Sequence, residues 1–587
     1  MLENRIVNRV NKFDKNNQCV SKYNILDEIN ALNIKFCDLD DEEKYEVIGF
    51  ILTENYEDKD DGWGIYWGPE RVLVNEDGKR LDIPSLELIT DKCLDYWKKR
   101  VEEVKNPILA SRYCNLVIEF MKLKNQDKDI YEFCKKVIDY DIIIYENKLY
   151  KYDRYTRFSL ERTFNLAKKI NDNDNIEKIK NIIIDFDENV DDNKPGIWGL
   201  AFELFILKNK KDTDAEDKSR IITILESRLS RLIEIEDIEL INEFSVEKVC
   251  ENLATYYKNV NKKEESLRVL NKLREFYKRK SYIQIPIQIQ NNLEKIYKLY
   301  KQFGYKEEAY KILSEIREMG KSVVEDMQCI SDTIQIPKEE IDKFLEALLN
   351  GSLEKSINRI VGCYIPSKSK IVDCLREEVK EFPLQNLFGK KVVNEEGRVI
   401  CNIGSINEDL EGNVIFKMYQ NMQIDKIIMG ICLDKLIEIY DLSSEKIIVL
   451  LRKTPIIIEE REKIIKVGID AYLHKDYITS INILIPQIEY MFRSIIELQG
   501  GNVLKVNRQG MYQLITLDQV LRDKYLVDLF SEDIMLYLRV LFTDPRGWNI
   551  RNNVCHGLIA EKYYTKGIAD RVMHVIFLLC QVTNKSE

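Results

Sequence analysis

The residue types that could do chemistry are concentrated in one stretch near the C-terminus, DPRGWNIRNNVCHGLIA, which runs from residue 544 to residue 560. Asn549 stands directly before a set of apolar residues at helical spacing, so we expect it to be the N-cap of a helix. The N–H groups of a helix N-terminus favour phosphate, and Arg546 and Arg551 add two planar donors suited to the same ligand. Histidine moves protons near neutral pH, and His556 lies in the same predicted helix. A phosphate binder beside a proton shuttle is the minimum requirement for phosphodiester chemistry.

The spacing of these residues limits how they could act together. Arg551 and His556 are five positions apart, about 140° around a regular helix, so they do not share a face. Asn552 does share a face with His556 and could orient the imidazole by a hydrogen bond. Arg551 and His556 converge on one phosphate only if the first helical turn is distorted or if a second copy of the protein supplies one of them. The other interpretation is a satisfied, half-buried pair with a purely structural role.

A second group of charged residues lies on a predicted helix that is otherwise apolar. The sequence after Asp476 is YITSINILIPQIEYMFRSIIE, which leaves little polar surface, so we expect this helix to be deeply buried. Pro486 predicts either a kink or a helix that begins at the proline. Glu489 and Arg493 are four positions apart, in the orientation that favours an ion pair, and buried charges are costly unless they are paired or used. The pair either locks the bundle or faces the candidate phosphate-binding helix across the core.

Together, these two groups resemble the HEPN superfamily of small helical bundles, many of which are ribonucleases. The family pattern is E-x-x-x-R on an early buried helix and R-N-x-x-x-H on a late one, which Glu489, Arg493, Arg551 and His556 match here. Glu497 is a departure, because some members carry Asn or Asp at that position. The stretches DYITSINILIPQIEYMFR and DPRGWNIRNNVCHGL are similar to one bacterial branch. That branch often carries an N-terminal region similar to GWGIYWGP and NPILASRYCNLV in this chain.

The resemblance implies metal-independent cleavage of RNA by two paired bundles whose Arg and His sets face one cleft. His556 would act as general base or acid on a ribose 2′-hydroxyl, and Arg551 would stabilise the charge on the phosphorane. Asn552 would orient the imidazole, while Glu489 and Arg493 would support the site. Active members are often toxins or antiviral effectors whose other domains act as sensors. The expected partners are RNA, such as tRNA or another structured RNA, a second copy of the bundle, and a protein or other trigger on the helical region, with no cofactor.

Two other function classes compete with this interpretation. The main alternative is a non-catalytic interaction protein, in which helical repeats hold a partner and the C-terminal bundle only dimerises. The joint presence of Arg551, Asn552 and His556 favours the enzyme, because a module that only binds would not need all three. The third class, a metal-dependent enzyme, finds no cluster of metal ligands in the sequence.

The composition predicts a soluble globular protein without general affinity for nucleic acid. The 587 residues are 45% hydrophobic and 32% charged, and the formal net charge is -11. From residue 469 to the end, 13 Lys and Arg balance 13 Asp and Glu, so the acidic excess lies upstream. The 13 cysteines contain no C-x-x-C pair, the N-terminus lacks an apolar signal core, and no apolar run is long enough to span a membrane. We therefore expect a cytoplasmic protein.

The pattern along the chain predicts a mainly α-helical protein in four parts. Residues 1–125 form a helical domain with one β-hairpin, and residues 126–385 form α-helical hairpins of the tetratricopeptide type. Residues 386–445 hold a second small hairpin, with alternating apolar residues after an EEG turn. Residues 446–587 are the HEPN-like bundle, which we expect to be wholly helical.

Aromatic residues are crowded around the first predicted hairpin. Residues 62–84 place aromatic and β-branched residues on both sides of an EDGK turn. Trp63, Tyr66 and Trp67 could stack on bases, although aromatic residues beside glycines usually fill a small core.

An internal similarity in the second part suggests helical repeats. The segment that begins KEES at Lys263 recurs as KEEA at Lys306, 43 residues later, and each copy follows an aromatic-rich helix. Paired antiparallel helices of this kind resemble tetratricopeptide-type repeats, whose usual period is about 34 residues. We expect residues 130–350 to form helical hairpins with a concave surface. An irregular helical bundle is the other interpretation.

Overall fold

The structure is a computed structural model, and it describes residues 5–54, 63–74, 79–124, 130–209, 213–328 and 335–583. The described part is mainly α-helical, as predicted, and its β-structure is confined to two-stranded sheets. The chain divides into two compact units, Met1–Ile312 and Leu313–Glu587. None of the described helices combines the length and the apolar content that crossing a membrane would require.

The first unit contains α1 to α12, the beginning of α13, and β1 to β4. The helices are α1 (Arg5–Asn11), α2 (Lys22–Asn30), α3 (Asp41–Ile51), α4 (Asp91–Glu103), α5 (Pro107–Leu123), α6 (Ile130–Glu146), α7 (Asp153–Lys169), α8 (Asn173–Asn189), α9 (Ala215–Glu234), α10 (Glu243–Asn259), α11 (Lys263–Lys280), α12 (Pro286–Phe303) and α13 (Lys306–Asp326). The strands form two antiparallel pairs, β1 (Thr53–Glu54) with β2 (Trp67–Gly68) and β3 (Arg71–Val74) with β4 (Arg80–Ile83). The pair β3–β4 confirms the strands of the first predicted hairpin. Glu76, Asp77 and Gly78 of its predicted turn lie outside the described residues.

Local capping signals set the helix boundaries at the start of this unit. The carboxylate of Asp40 accepts from the N–H of Glu43, and the Glu43 side chain accepts from the N–H of Asp40, so α3 opens with a capping box. Asn106 accepts from the N–H of Ile108, and Pro107 takes the first helical position. Asn106 and Pro107 therefore fix the start of α5 and separate it from α4.

The 43-residue recurrence is visible in the helix boundaries of the middle region. Glu243 and Pro286 begin α10 and α12, while Lys263 and Lys306 begin α11 and α13, so both offsets are 43 residues. Between α6 and α12, every two consecutive helices contact each other. The helical prediction for residues 130–350 is confirmed for the part that the structure describes, and the concave surface stays a prediction.

The second unit contains the rest of α13, the helices α14 to α26 and the strands β5 to β8. The helices are α14 (Lys338–Leu349), α15 (Leu353–Cys363), α16 (Lys368–Glu381), α17 (Pro383–Asn386), α18 (Leu410–Tyr440), α19 (Ser444–Arg452), α20 (Glu459–Leu473), α21 (Tyr477–Leu498), α22 (Leu517–Val520), α23 (Lys524–Leu529), α24 (Glu532–Phe542), α25 (Ile550–Cys555) and α26 (Lys566–Leu579). The strands again form two antiparallel pairs, β5 (Lys390–Val393) with β6 (Val399–Ile403) and β7 (Leu504–Val506) with β8 (Tyr512–Leu514).

The two hairpins of this unit differ in how well the sequence predicts them. The pair β5–β6 confirms the second predicted hairpin. The expectation that residues 446–587 are wholly helical is wrong, because β7 and β8 lie within that range. Each of these strands has only three residues, too few for alternation to stand out. The sequence did contain one turn signal, Gly510, because glycine readily adopts a left-handed backbone; its φ in the structure is 81°.

A neutral histidine lies in the core of the second unit. His574 on α26 is fully buried, and its Nδ1 lies 2.9 Å from the hydroxyl of Tyr537 on α24. Its Nε2 lies 3.2 Å from the carbonyl of Val361 on α15. Burial, followed by the charge of Arg571, lowers the pKa of His574 to about 3. The imidazole therefore joins three core helices in its uncharged form.

This histidine predicts a loss of stability in mild acid. An unfolded histidine binds a proton below about pH 6.5, whereas folded His574 resists protonation until its pKa of about 3. Between about pH 6.5 and about pH 3 the unfolded state therefore binds more protons than the folded state. The free energy of unfolding is at its full value above about pH 6.5 and decreases as the pH falls below it. From about pH 6.5 to about pH 5 the loss should be about 2 kcal/mol. Urea unfolding of His574→Gln should show a correspondingly smaller loss over this range, and equal losses in the two proteins would contradict the assignment.

Candidate active site

The helix α21 carries the acidic centre of the candidate site. Asp476 caps this helix by accepting from the N–H of Thr479 at 3.1 Å. The helix then continues through Pro486 to Leu498, so the alternative in which it begins at the proline is wrong. Ile485 and Ile488, on either side of the proline, are fully buried, and their packing compensates for the hydrogen bond that proline cannot donate.

Glu489 is a buried carboxylate shared by two arginines. Arg493, one turn further along α21, donates from Nη2 to Oε1, which confirms the predicted ion pair. Arg551 in the first turn of α25 donates from Nε to Oε2 at 2.9 Å and from Nη2 to Oε1 at 3.5 Å. We call these three side chains the Glu489 network. The network joins α21 to α25, as expected from the interpretation in which the Glu489–Arg493 pair faces the candidate phosphate-binding helix. These three side chains carry a net charge of +1, and the residues that the structure describes give neither arginine a second ion pair.

Arg551 keeps hydrogen-bond donors for a ligand. A guanidinium carries five N–H groups. Two of them face Glu489, and a third, on Nη1, donates to the side-chain oxygen of Asn552 at 3.2 Å. The Arg551 side chain remains 22% exposed, so its two remaining N–H groups are in reach of a molecule outside the fold. These donors and the uncompensated charge suit an anion such as phosphate.

Asn552 positions Arg551 and not His556. Its Oδ1 accepts from Arg551, and its Nδ2 donates to the side chain of Asn549 at 2.7 Å and to the carbonyl of Thr543 at 3.3 Å. The prediction that Asn552 orients the imidazole is therefore wrong. The physical reason is that other acceptors compete with His556 for the Asn552 amide. The side chain of Asn549 and the carbonyl of Thr543 both precede α25, and they hold the amide at the N-terminal end of that helix.

His556 directly follows the last residue of α25 as its C-cap, whereas the sequence predicted that it lies within the helix. The N–H of Leu558 donates to the carbonyl of Asn553 at 2.8 Å, and Gly557 has a φ of 64°. This is a glycine-dependent helix end, which stops α25 after six residues. The ring of His556 is exposed, and the described residues give it no hydrogen bond. The structure thus brings Arg551 and His556 onto one short helix without joining their side chains.

The start of α25 differs from the phosphate site that the sequence predicted. Asn549 occupies the N-cap position, but its backbone is left-handed, with a φ of 50°, and its side chain caps no N–H group. Arg546 is engaged by Asp544, with Nε–Oδ1 and Nη2–Oδ2 distances of 2.9 and 2.8 Å. Hydrogen bonding to Asp544 raises the pKa of Arg546. Arg546 therefore stabilises the turn before α25. Because its guanidinium is engaged by Asp544, it is not part of the candidate phosphate site.

Two backbone carbonyls complete the site, and neither was among the residues predicted for it. The carbonyl of Ile515, just after β8, accepts from Nη2 of Arg493 at 3.0 Å. The carbonyl of Thr543 accepts from Asn552, as described above. Any residue type supplies a carbonyl, so no sequence signal could have identified these contacts.

The hairpin β7–β8 presents apolar side chains beside the site. Its exposed apolar residues are 45% to 78% accessible and comprise Leu504, Val506, Met511, Tyr512 and Leu514. The hairpin leads directly into Ile515, whose carbonyl binds Arg493. Leu558, two residues after His556, is 67% exposed. Exposed apolar groups of this kind mark candidate interaction surfaces.

Comparison with known proteins provides no family for this chain. No family model matches it, and no curated protein matches it in sequence. Among solved structures, it is similar to a circular tandem repeat protein with novel repeat topology and enhanced subunit contact surfaces. The two share 12% sequence identity, the match covers 84% of this chain and 93% of that chain, and the TM-score is 0.16. At that TM-score the likeness supports no statement about fold or function.

Proposed function

We propose that this protein is a metal-independent endoribonuclease of the HEPN type, with Arg551 and His556 as its reacting residues. The observation that carries the proposal is the Glu489 network. It fixes Arg551 with two free N–H groups and an uncompensated positive charge at one end of α25. The other end of the same helix presents an exposed histidine. An anion-binding group and a proton-transferring group therefore share one short element of the fold.

In the proposed reaction, His556 removes the proton from a ribose 2′-hydroxyl, whose oxygen attacks the neighbouring phosphorus. The bond from phosphorus to the 5′-oxygen breaks, and an imidazolium returns a proton to that oxygen. The products are an RNA with a 2′,3′-cyclic phosphate and an RNA with a 5′-hydroxyl. Arg551 stabilises the negative charge that develops on the phosphorane. Glu489 and Asn552 act as positioning residues, because they hold the plane of the Arg551 guanidinium.

We further propose that two copies of the second unit form the active site. Arg551 donates to Glu489 on α21, and His556 is exposed at the opposite end of α25 without a described contact to Arg551, which supports a site shared between two chains. A partner copy could supply the missing group. The exposed apolar hairpin β7–β8 lies beside the Glu489 network and offers a surface for such pairing.

Mixing two inactive variants tests this composite site. Arg551→Ala and His556→Ala should each be inactive on tRNA in the presence of a chelator. If Arg551 of one copy works with His556 of the other, half of the dimers in an equimolar mixture are mixed, and one site in each is intact. The mixture should then recover about a quarter of the wild-type activity. No recovery, although co-purification of two differently tagged variants shows that mixed dimers have formed, would contradict the composite site.

As its biological role, we propose a toxin or antiviral defence effector, with the helical first unit as sensor or regulator. A protein or other trigger would bind that unit and release the nuclease. Expression in a bacterial host should then arrest growth for the wild type and not for His556→Ala, provided that the trigger is present.

One observation favours the non-catalytic alternative. Most polar groups around α25 satisfy one another, including the complete Asn552 side chain and the Arg546–Asp544 pair. A bundle that only dimerises would need these hydrogen bonds to keep α25 in place, but it would not need the unpaired side chain of His556. The alternative predicts dimers that cleave no RNA with or without a trigger.

A further inference from the structure

The first unit contains a cavity of about 280 Å³ that is separate from the candidate active site. Its walls come from α2, the β1–β2 pair, α5, α6 and α7. The volume is close to the lower end of the range for small-molecule sites, about 300–1,000 Å³. The cavity is therefore large enough for a metabolite and too small for a folded macromolecule.

Three cations line this cavity without an ion pair to any described residue. They are Lys22 on α2, Arg112 on α5 and Arg154 on α7. Burial, followed by the nearby charge of Arg112, lowers the pKa of Lys22. Lys22 and Arg112 are half-buried, whereas Arg154 is exposed at the rim of the cavity. Two partly desolvated cations placed together are costly unless something else compensates for their charge. A bound anion would supply that compensation.

The acidic residues of the cavity wall offset this charge only in part. Asp141 is fully engaged, because Ser111 donates to its Oδ1 at 2.6 Å and Thr163 donates to its Oδ2. Burial raises the pKa of Asp141, which favours its neutral form. Glu54 is the other lining carboxylate, and the cations outnumber it.

Arg112 is held in place with one nitrogen unused. Its Nε donates to the carbonyl of Gly49 at 2.8 Å, and its Nη2 donates to the carbonyl of Leu52, also at 2.8 Å. The guanidinium lies 4.6 Å from the ring centre of Trp67 and 5.4 Å from that of Phe50. These contacts fix its plane, and Nη1 has no hydrogen bond to a described residue. A fixed guanidinium with a free nitrogen is a built donor and not a mobile surface group.

Aromatic side chains form much of the remaining wall. Tyr66 lies under the guanidinium of Arg162, 4.6 Å from its ring centre. Arg162 is itself held by Asn115 at 3.2 Å. Tyr150 and Tyr155 lie with their ring centres 6.4 Å apart. These rings offer flat surfaces on which a planar group could stack.

We propose that this cavity binds a mononucleotide, with its phosphate on Lys22, Arg112 and Arg154 and its base among the tyrosine rings. The phosphate meets the three unpaired cations, and its charge removes the repulsion between them. The planar base distinguishes the ligand from a simple anion. The proposal rests on the first unit alone and does not depend on RNA cleavage by the second.

Isothermal titration of the full chain with nucleoside 5′-monophosphates tests the proposal. At least one of the four common ribonucleotides should bind, and its nucleoside and inorganic phosphate should each bind at least about 10-fold more weakly. Lys22→Met and Arg154→Met should each weaken binding by about 10-fold. Both positions lie outside the hydrogen bonds that hold α3 and α5 together, so these variants should fold, which circular dichroism checks.

The matched control is Lys135→Met, which removes an exposed cation of α6 that does not line the cavity. It should bind the nucleotide as the wild type does. The proposal is overturned if no monophosphate binds the wild type at millimolar concentration. It is equally overturned if Lys22→Met and Arg154→Met bind as well as the control, or if inorganic phosphate binds as tightly as the nucleotide.

Discussion

His556→Ala should lower the rate of RNA cleavage by about 10²–10⁴-fold, because it removes the general base of the proposed reaction. Arg551→Ala should cost a comparable factor, since the charge of the phosphorane loses its stabilising donor. The two variants should differ in their effect on protein stability. His556 makes no side-chain hydrogen bond in the described structure, so its removal should leave stability unchanged, whereas Arg551 also pairs with Glu489. Single-turnover cleavage of labelled RNA in a chelator, alongside urea unfolding, measures both quantities.

His474→Ala is the matched control for this prediction. His474 is also an exposed histidine at a helix end, immediately after α20, where its Nδ1 lies 2.7 Å from the carbonyl of Asp470. This variant should cleave RNA at the wild-type rate. Equal rates for His556→Ala and His474→Ala would remove His556 from the mechanism.

Glu489→Gln should destabilise the second unit by about 2–4 kcal/mol, slightly less than the loss typical of a fully buried pair. The carboxylate is 6% exposed and is the shared partner of Arg493 and Arg551. Its neutralisation leaves two neighbouring guanidinium groups without a counter-charge. Nε of Arg493 is already buried without a hydrogen-bond partner in the described structure, so this arginine has little alternative compensation. The partial exposure of both arginines limits the loss.

Urea unfolding measures this loss against Glu497→Gln. Glu497 lies on the same helix, two turns further along, and is exposed. Its substitution should change the free energy of unfolding by less than about 0.5 kcal/mol. Glu489→Gln should also slow cleavage, because Arg551 is no longer held in position. Equal stabilities of the two variants would show that the Glu489 network does not hold α25 on α21.

The parts of this structure that the sequence predicted depend on short-range rules. Glu489 and Arg493 are one helical turn apart, so their pairing follows from spacing alone. The 43-residue offset of the helix pairs was visible because identical residue types recur at Lys263 and Lys306.

The errors arose where several partners compete for one side chain. Asn552 could bond forward to His556 or back to Asn549, and the carbonyl of Thr543, whose position depends on the fold, favours the second choice. The left-handed backbone of Asn549 is compatible with its residue type, because asparagine adopts this conformation more readily than most residues, but the residue type does not distinguish it from an ordinary N-cap. The pairing of Arg546 with Asp544 is different, because both belong to one tight turn and their proximity could have been predicted.

Two roles were considered for the aromatic residues near the first hairpin, namely filling a small core and stacking on bases. Trp67 is 2% exposed and fills the core as expected, while the half-buried Trp63 donates to Asp82 at 2.8 Å and packs edge-on against Phe120. Tyr66 and Trp67 also line the cavity of the first unit. The sequence could not predict that cavity, because its cations come from three helices far apart in the chain.

Cleavage of an RNA with a single 2′-deoxy substitution tests the central claim most directly. The wild-type cut site is first mapped in the presence of a chelator, and the nucleotide that supplies the attacking hydroxyl is then replaced by its 2′-deoxy form. The proposed mechanism predicts that this bond becomes inert while neighbouring sites remain susceptible, and that the unmodified RNA yields a 2′,3′-cyclic phosphate. Cleavage at the deoxy position at an undiminished rate would contradict attack by the 2′-hydroxyl, and with it the assignment of His556 as its base.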